Sequence, residues 1–290
     1  MRKMPIGIQT FENIITGGFV YVDKTAWAYR LANEGVYYFL GRPRRFGKSL
    51  LLSTLRAYFE GKRELFRGLA IEKLEKDWTN YPVLHIDLSI ASHKSIDDIK
   101  ADLNAILSKL EAQWGVDRRD ISPPTRFYEL IRNVCEKSGR RVVVLVDDCD
   151  VPIWRSMEEG GASAEINDTL TGFLGVLKGA DRWLRFVLLT GAKRFSDVGM
   201  LSGDLNMLED ISMSEAYSGV CGITERELEE NFKPELVGLA EKNDMTYAEA
   251  VAEMKKRYDG YRFAKQGEDM YNPFSVLNTL KSREFAYYWF

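Results

Sequence analysis

Val142-Val143-Val144-Leu145-Val146 constrains this chain more than any other segment. A strand with one face in water alternates apolar and polar residues, whereas a run that is apolar at every position has both faces covered. Such a strand belongs inside a parallel sheet with helices packed on both sides. The chain repeats the theme: Val36 to Leu40, Pro82 to Asp87 and Arg185 to Thr190 read as further strands. Amphipathic stretches of helical length lie between them, at Lys48 to Glu60, about Ser95 to Gln113, Thr125 to Ser138 and Ala164 to Gly179. Pro123-Pro124 sets the start of the third of these. The fold class expected is α/β, with a mostly parallel central sheet flanked by helices.

Composition narrows the function classes. The 290 residues carry 40 Lys and Arg against 43 Asp and Glu, a net charge of −3. That balance gives no whole-surface attraction to nucleic acid and leaves only a local basic patch, at Arg42, Arg44 and Arg45 or at Arg140-Arg141. Two histidines leave little room for chemistry by clustered imidazoles. Cys135, Cys149 and Cys221 are widely spaced, which points to a reducing cytoplasm and away from a zinc module. No apolar run approaches the ~18 residues of a membrane span.

The segment Gly41-Arg42-Pro43-Arg44-Arg45-Phe46-Gly47-Lys48-Ser49 joins a buried strand to an amphipathic helix. Backbone N–H groups entering a helix N-terminus cradle anions, and the helix dipole adds to the attraction. A following lysine supplies a charge for the β and γ phosphates, and the next hydroxyl reaches Mg²⁺. The expected phosphate-binding residues are Arg44, Arg45, Phe46, Gly47, Lys48, Ser49 and Leu50. The Walker A pattern G-x-x-x-x-G-K-[ST] is met imperfectly, because Arg42 stands where the first glycine belongs and Gly41 lies one residue early. A basic strand-to-helix turn with an incidental Gly-Lys is the competing reading.

The strand at Val142 to Val146 runs into Asp147-Asp148-Cys149-Asp150. A carboxylate at the C-terminal end of a buried strand lies on the rim where α/β sheets bind ligands, as a Walker B acid does. Asp147 with Ser49 is the expected metal pair, and Asp148 the group that positions or deprotonates water. Thr190, ending the following strand, is expected to face the γ-phosphate, with a strand-end cap as the alternative. Lys193 and Arg194 follow it; either is placed to stabilise transferring phosphate, and a solvated basic loop is the alternative. Cys149 among carboxylates is a poor nucleophile.

Arg42 to Leu50 resembles the phosphate loop of the predicted AAA-ATPase-like family of bacteria and archaea. Members of that family often continue into a C-terminal domain resembling PD-(D/E)xK nucleases. Tyr21-Val22-Asp23-Lys24-Thr25, Leu189-Thr190-Gly191 with Arg194-Phe195-Ser196, Tyr258 to Phe263, and Tyr271-Asn272-Pro273-Phe274-Ser275 resemble further motifs of the family in the same order. The resemblance implies a P-loop NTPase core, ATP as the nucleotide and Mg²⁺ as its ion. It also makes the irregular first glycine a family trait. One departure matters: the family's Asp-Glu-Tyr-Asp is Asp147-Asp148-Cys149-Asp150 here, so Asp148 is a methylene shorter than the glutamate. Asp150 is a substitute that a regular strand would point away from Asp147.

The expected organisation is an NTPase core over residues 1–213 and a smaller, mainly helical segment over 214–290. A short strand is expected at Ile211-Ser212-Met213, and the aromatic end, Glu284 to Phe290, reads as a chain cut within a structural element or as a docked last helix. The functions in contention are slow Mg²⁺-dependent ATP hydrolysis driving an attached or partner domain, a nucleotide-gated switch that barely hydrolyses, and a nucleic-acid-associated module.

Overall fold

A computed structural model describes residues 2–91, 95–117, 121–160, 163–193 and 205–288. Five parallel strands form the central sheet: β1 (Tyr37–Gly41), β2 (Val83–Asp87), β3 (Val142–Asp147), β4 (Leu184–Gly191) and β5 (Glu209–Asp210). Their order across the sheet is β2-β3-β4-β1-β5. The fully apolar β3 is buried at every position and lies between β2 and β4, as its composition requires. The expected strand at residues 211–213 is instead at Glu209–Asp210. Ile211 donates the last bond, its N–H to the Phe39 carbonyl, and then its side chain turns into the core, so its apolarity reflects burial beyond the strand.

Helices cover both faces. Alternate residues of the strands feed two separate cores, the consequence of a side-chain period of two. Phe39, Val142, Val144, Val146, Val187 and Leu189 pack under α5 (Ile96–Trp114), α6 (Pro123–Ser138), α7 (Val151–Glu158) and α8 (Ser163–Gly179). Tyr38, Leu40, Val143, Leu145, Phe186 and Leu188 pack under α2 (Thr25–Glu34) and α3 (Lys48–Phe59). Asp23, one residue before the N-cap of α2, ties its start to α4: its carboxylate accepts from the Thr25 N–H and hydroxyl at 2.8 and 2.6 Å, and from the Ala70 N–H at 2.7 Å. The short helices α1 (Phe11–Thr16) and α4 (Ala70–Leu74) complete this layer.

The C-terminal helices α9 (Glu225–Lys242), α10 (Tyr247–Tyr258) and α11 (Pro273–Ser282) gather around a third core, which also takes in Met4 and is packed by Ile6, Val20 and Val22. Thr224 and Thr246 start α9 and α10 with reciprocal capping boxes to Glu227 and Glu249. Asn272 caps α11 by accepting from the Ser275 N–H at 3.0 Å, and Pro273 fills its first position. A two-stranded hairpin, β6 (Tyr261–Arg262) and β7 (Asp269–Met270), projects toward β1's exit loop. No helix of the described residues is long and apolar enough to cross a membrane.

Candidate functional site

Because the strands are parallel, their C-terminal ends share one rim. Gly41 stands opposite Gly191, and Asp87 opposite Asp147. From that rim the chain leaves β1 through residues 42–47 and enters α3 at Lys48. Gly47 has φ +96°, a conformation that side chains rarely adopt. The early glycine has a different reason. A Cβ on Gly41 would lie 2.3 Å from the Lys193 carbonyl oxygen, so Gly41 lets two strand exits pass each other.

The side chains of this loop divide sharply. Arg42 is 1% exposed, and its guanidinium donates to the carbonyls of Gly41 (2.9 Å), Ser212 (2.6 Å) and Tyr217 (3.2 Å) while lying 4.1 Å from the Phe263 ring centroid. Burial lowers its pKa to about 10. Phe46 is equally buried, edge-on to Tyr261 and Phe263, and its carbonyl accepts from the Gly222 N–H at 3.2 Å. Arg45, at φ +68°, stacks 4.2 Å from the Phe274 centroid and donates to the Tyr288 carbonyl at 3.1 Å. Arg44 is exposed. Of the expected phosphate ligands, Phe46 therefore offers only its backbone, and Arg45 is already engaged.

Lys48 folds back under the loop. Its ammonium donates to the Arg42 carbonyl at 3.1 Å and lies 3.4 Å from Asp148 Oδ1. That ion pair lacks hydrogen-bond geometry, so Oδ1 is buried without a donor. Burial pushes the Asp148 carboxyl above its ordinary range; Lys48 opposes the rise, and Asp147 and Asp150 add to it. Asp148 sits at φ +49°, turned out of the strand direction at the rim.

Thr190 is fully buried. Its hydroxyl donates to Asp147 Oδ1 at 2.6 Å and accepts from the Asp148 N–H at 3.1 Å. The position of β4 between β1 and β3 makes this possible. The hydroxyl expected to face a phosphate is instead used to hold Asp147 and to set the backbone of Asp148. Asp150 lies past the end of β3 at the head of α7 and is used elsewhere: its Oδ2 accepts from the Ala192 and Lys193 N–H groups at 2.8 and 3.1 Å and from the Trp154 indole at 3.2 Å. Lys193 places its ammonium 3.1 Å from the Trp154 ring centroid. Arg194, with Phe195 and Ser196, lies outside the described residues. Burial and the three neighbouring carboxylates hold the Cys149 thiol protonated.

Lys48, Ser49, Leu50, Gly47, Arg44, Arg45 and Asp148 line one cleft of about 400 Å³. Sequence reasoning missed its other walls. Pro5 to Gln9 and Ile14 contribute one side, Pro273, Phe274 and Leu277 of α11 another, and Ser89 and Arg155 close the end near Asp148. The late motifs find structural roles: Phe263 lies beneath Arg42, Gly260 turns at φ +103°, and Arg262 pairs with Asp269 across the hairpin at 2.8 Å.

A parallel sheet in this order, a glycine-bent loop that leads from β1 into a lysine-headed helix, and an acidic pair ending β3 define a P-loop NTPase fold. The chain belongs to the predicted AAA-ATPase family, whose model matches residues 5–201. It is 40% identical over 291 aligned residues to an "uncharacterized protein in vnfD 5′ region" of Azotobacter chroococcum mcd 1, in an alignment that takes in 100% of this chain and 54% of that protein. The chain thus spans about half the length of this curated relative.

Proposed function

We propose that the chain binds ATP with Mg²⁺ in the cleft at the head of α3, hydrolyses it slowly, and uses occupancy of the loop to drive or gate an attached or partner domain. The observation that carries the reading is the convergence of Lys48, Ser49 and Asp148 on one cleft, with Lys48 and Asp148 paired at 3.4 Å and Asp147 ending β3 next to them. The loop amides and Lys48 hold phosphates, and the triphosphate takes the place of Asp148 as the lysine's partner.

The donor set suits Mg²⁺. Among the described residues no group of three or more His, Cys, Asp or Glu side chains is arranged to hold a metal alone. One hydroxyl and one carboxylate fit an ion that keeps several waters and binds together with phosphates. Ser49 and Asp147 would hold it, with Asp147 Oδ1 already fixed by Thr190. Bound there, the ion neutralises phosphate charge. Asp148 is the group beside the Lys48 ammonium that positions the attacking water, and Thr190 is a positioning residue for both acids.

The cleft grows apolar away from Asp148, with Ile6, Ile8, Ile14, Leu50, Pro273 and Leu277 on its walls, which suits a nucleobase. Adenine is favoured by family alone. Gating is supported by the loop side chains: Arg42, Arg45 and Phe46 all seat in residues 212–288, so a loop moved by phosphate pulls on that segment directly. An attached or partner domain contacting that segment is what such a pull would act on.

Titration of purified protein with ATP and Mg²⁺, alongside phosphate release, tests this. Binding that vanishes in Lys48→Ala supports the nucleotide site, and turnover that vanishes in Asp148→Asn while binding survives supports the base. Binding without any Mg²⁺-dependent phosphate release favours a pure switch, a reading consistent with the short Asp148 side chain. Binding to DNA or RNA that ignores ATP would favour the nucleic-acid module.

A further inference from the structure

We infer that Arg155 is a phosphate-contacting arginine supplied within the same chain, taking an oxygen of the terminal phosphate and distinguishing tri- from diphosphate. This rests on the nucleotide reading above.

Arg155 is carried on a tightly fixed helix. Asp150 heads α7, and its carboxylate bonds the Ala192 and Lys193 N–H groups and the Trp154 indole, which fixes the helix against β4's exit. One turn on, the Arg155 guanidinium donates to the Ser89 carbonyl at 2.8 Å. Ser89 is itself anchored at the rim. Its N–H donates to Asp87 Oδ1 at 2.9 Å, Asp87 stands opposite Asp147, and the Leu88 N–H donates to the Asp147 carbonyl at 3.0 Å. Arg155 is thus held beside the acidic pair, and it lines the same cleft as Lys48, Ser49 and Asp148.

Charge then decides its use. Arg42 is buried on three carbonyls and Arg45 is stacked on Phe274, so neither guanidinium is free to follow the terminal phosphate. Arg155 is half-buried, and its one hydrogen bond among the described residues is to a neutral carbonyl. Its remaining donors form a planar fork suited to phosphate oxygens. On the reading above it is the terminal phosphate that reaches Asp148, so a triphosphate, or the charge that develops as its terminal group transfers, is what would meet the fork. The competing role is a latch that merely holds the loop after β2.

The test is ATP and ADP affinity for the wild type, Arg155→Ala and Arg155→Lys, each with Mg²⁺, together with melting temperature without nucleotide. A phosphate contact predicts that Arg155→Ala keeps ADP affinity, loses about tenfold or more of the preference for ATP, and slows any phosphate release about 10²-fold or more. Arg155→Lys, which keeps the charge without the fork, recovers part of the preference. If both variants keep the wild-type preference and only the melting temperature falls, Arg155 is a latch and the inference is wrong. If the wild type binds neither nucleotide, the site reading itself fails and carries this inference down with it.

Discussion

Replacing Arg42 by glycine would restore the first glycine of the generic phosphate-loop pattern, and pattern matching alone predicts a better nucleotide site. The structure predicts the reverse. Removing the guanidinium leaves the Gly41, Ser212 and Tyr217 carbonyls without this donor in a buried setting. Each unsatisfied group costs about 1–3 kcal/mol, and the low end applies because water can enter the vacated space, giving about 3 kcal/mol. Loss of the contact with Phe263, 4.1 Å from the guanidinium carbon, adds about 1 kcal/mol. A loss of about 4 kcal/mol lowers the melting temperature of a chain this size by roughly 6–8 °C. Thermal unfolding followed by circular dichroism measures this, and an ATP titration on the same sample reads the site. Arg42→Lys keeps a charge but bonds fewer carbonyls, so it falls between the two. An Arg42→Gly protein that melts with the wild type and binds ATP more tightly would refute the reasoning.

Phe46→Ala removes a ring that is 1% exposed and packed between Tyr261 and Phe263; it should cost about 3 kcal/mol or more in denaturant unfolding and weaken nucleotide binding by loosening the loop. Lys48→Ala should abolish measurable ATP affinity without unfolding the protein, checked by calorimetric titration beside a melting curve. The Asp148 carboxyl, held above its ordinary range chiefly by burial, binds its proton more tightly in the folded chain than in the unfolded one. Its contribution to stability is therefore most favourable below the unfolded value of about 3.9 and declines as pH rises through the folded value. Asp148→Asn should flatten that part of the pH–stability curve and raise the melting temperature at neutral pH. In the active protein the same shift places the acid limb of kcat/KM above the ordinary aspartate range, which a pH–rate profile reads.

The four longest sheet strands and the four long helices between them are legible because hydrophobic period and turn residues act locally, whereas the short α4 and α7 are not. Five apolar residues at 142–146 do demand two covered faces, and Pro123-Pro124 does start a helix. The edge strand was misplaced by two residues because Ile211 is buried just past the pairing, so apolarity marked the core and not the ladder. The acidic pair and Lys48 were legible as a motif. What the motif could not give was the direction of each side chain. Arg42 carries the same charge as Arg44, yet one is buried on carbonyls and the other is exposed, a difference set by residues 212, 217 and 263 far along the chain. Thr190 likewise has two partners that only the strand order brings within reach. The walls supplied by residues 5–9 and 273–277 have no signature of their own, because apolar contact with a ligand reads like ordinary core. Arg155 is equally silent in the sequence: a single arginine on a short helix has no local mark.

The central claim is that a triphosphate sits over the head of α3. A crystal grown with Mg²⁺ and a non-hydrolysable ATP analogue tests it most directly. The account predicts phosphate density bonded to the amides of residues 44–49 and to Lys48, the ion beside Ser49 and Asp147, and the Lys48–Asp148 pair broken. Phosphate density elsewhere, with Lys48 still against Asp148, would contradict it.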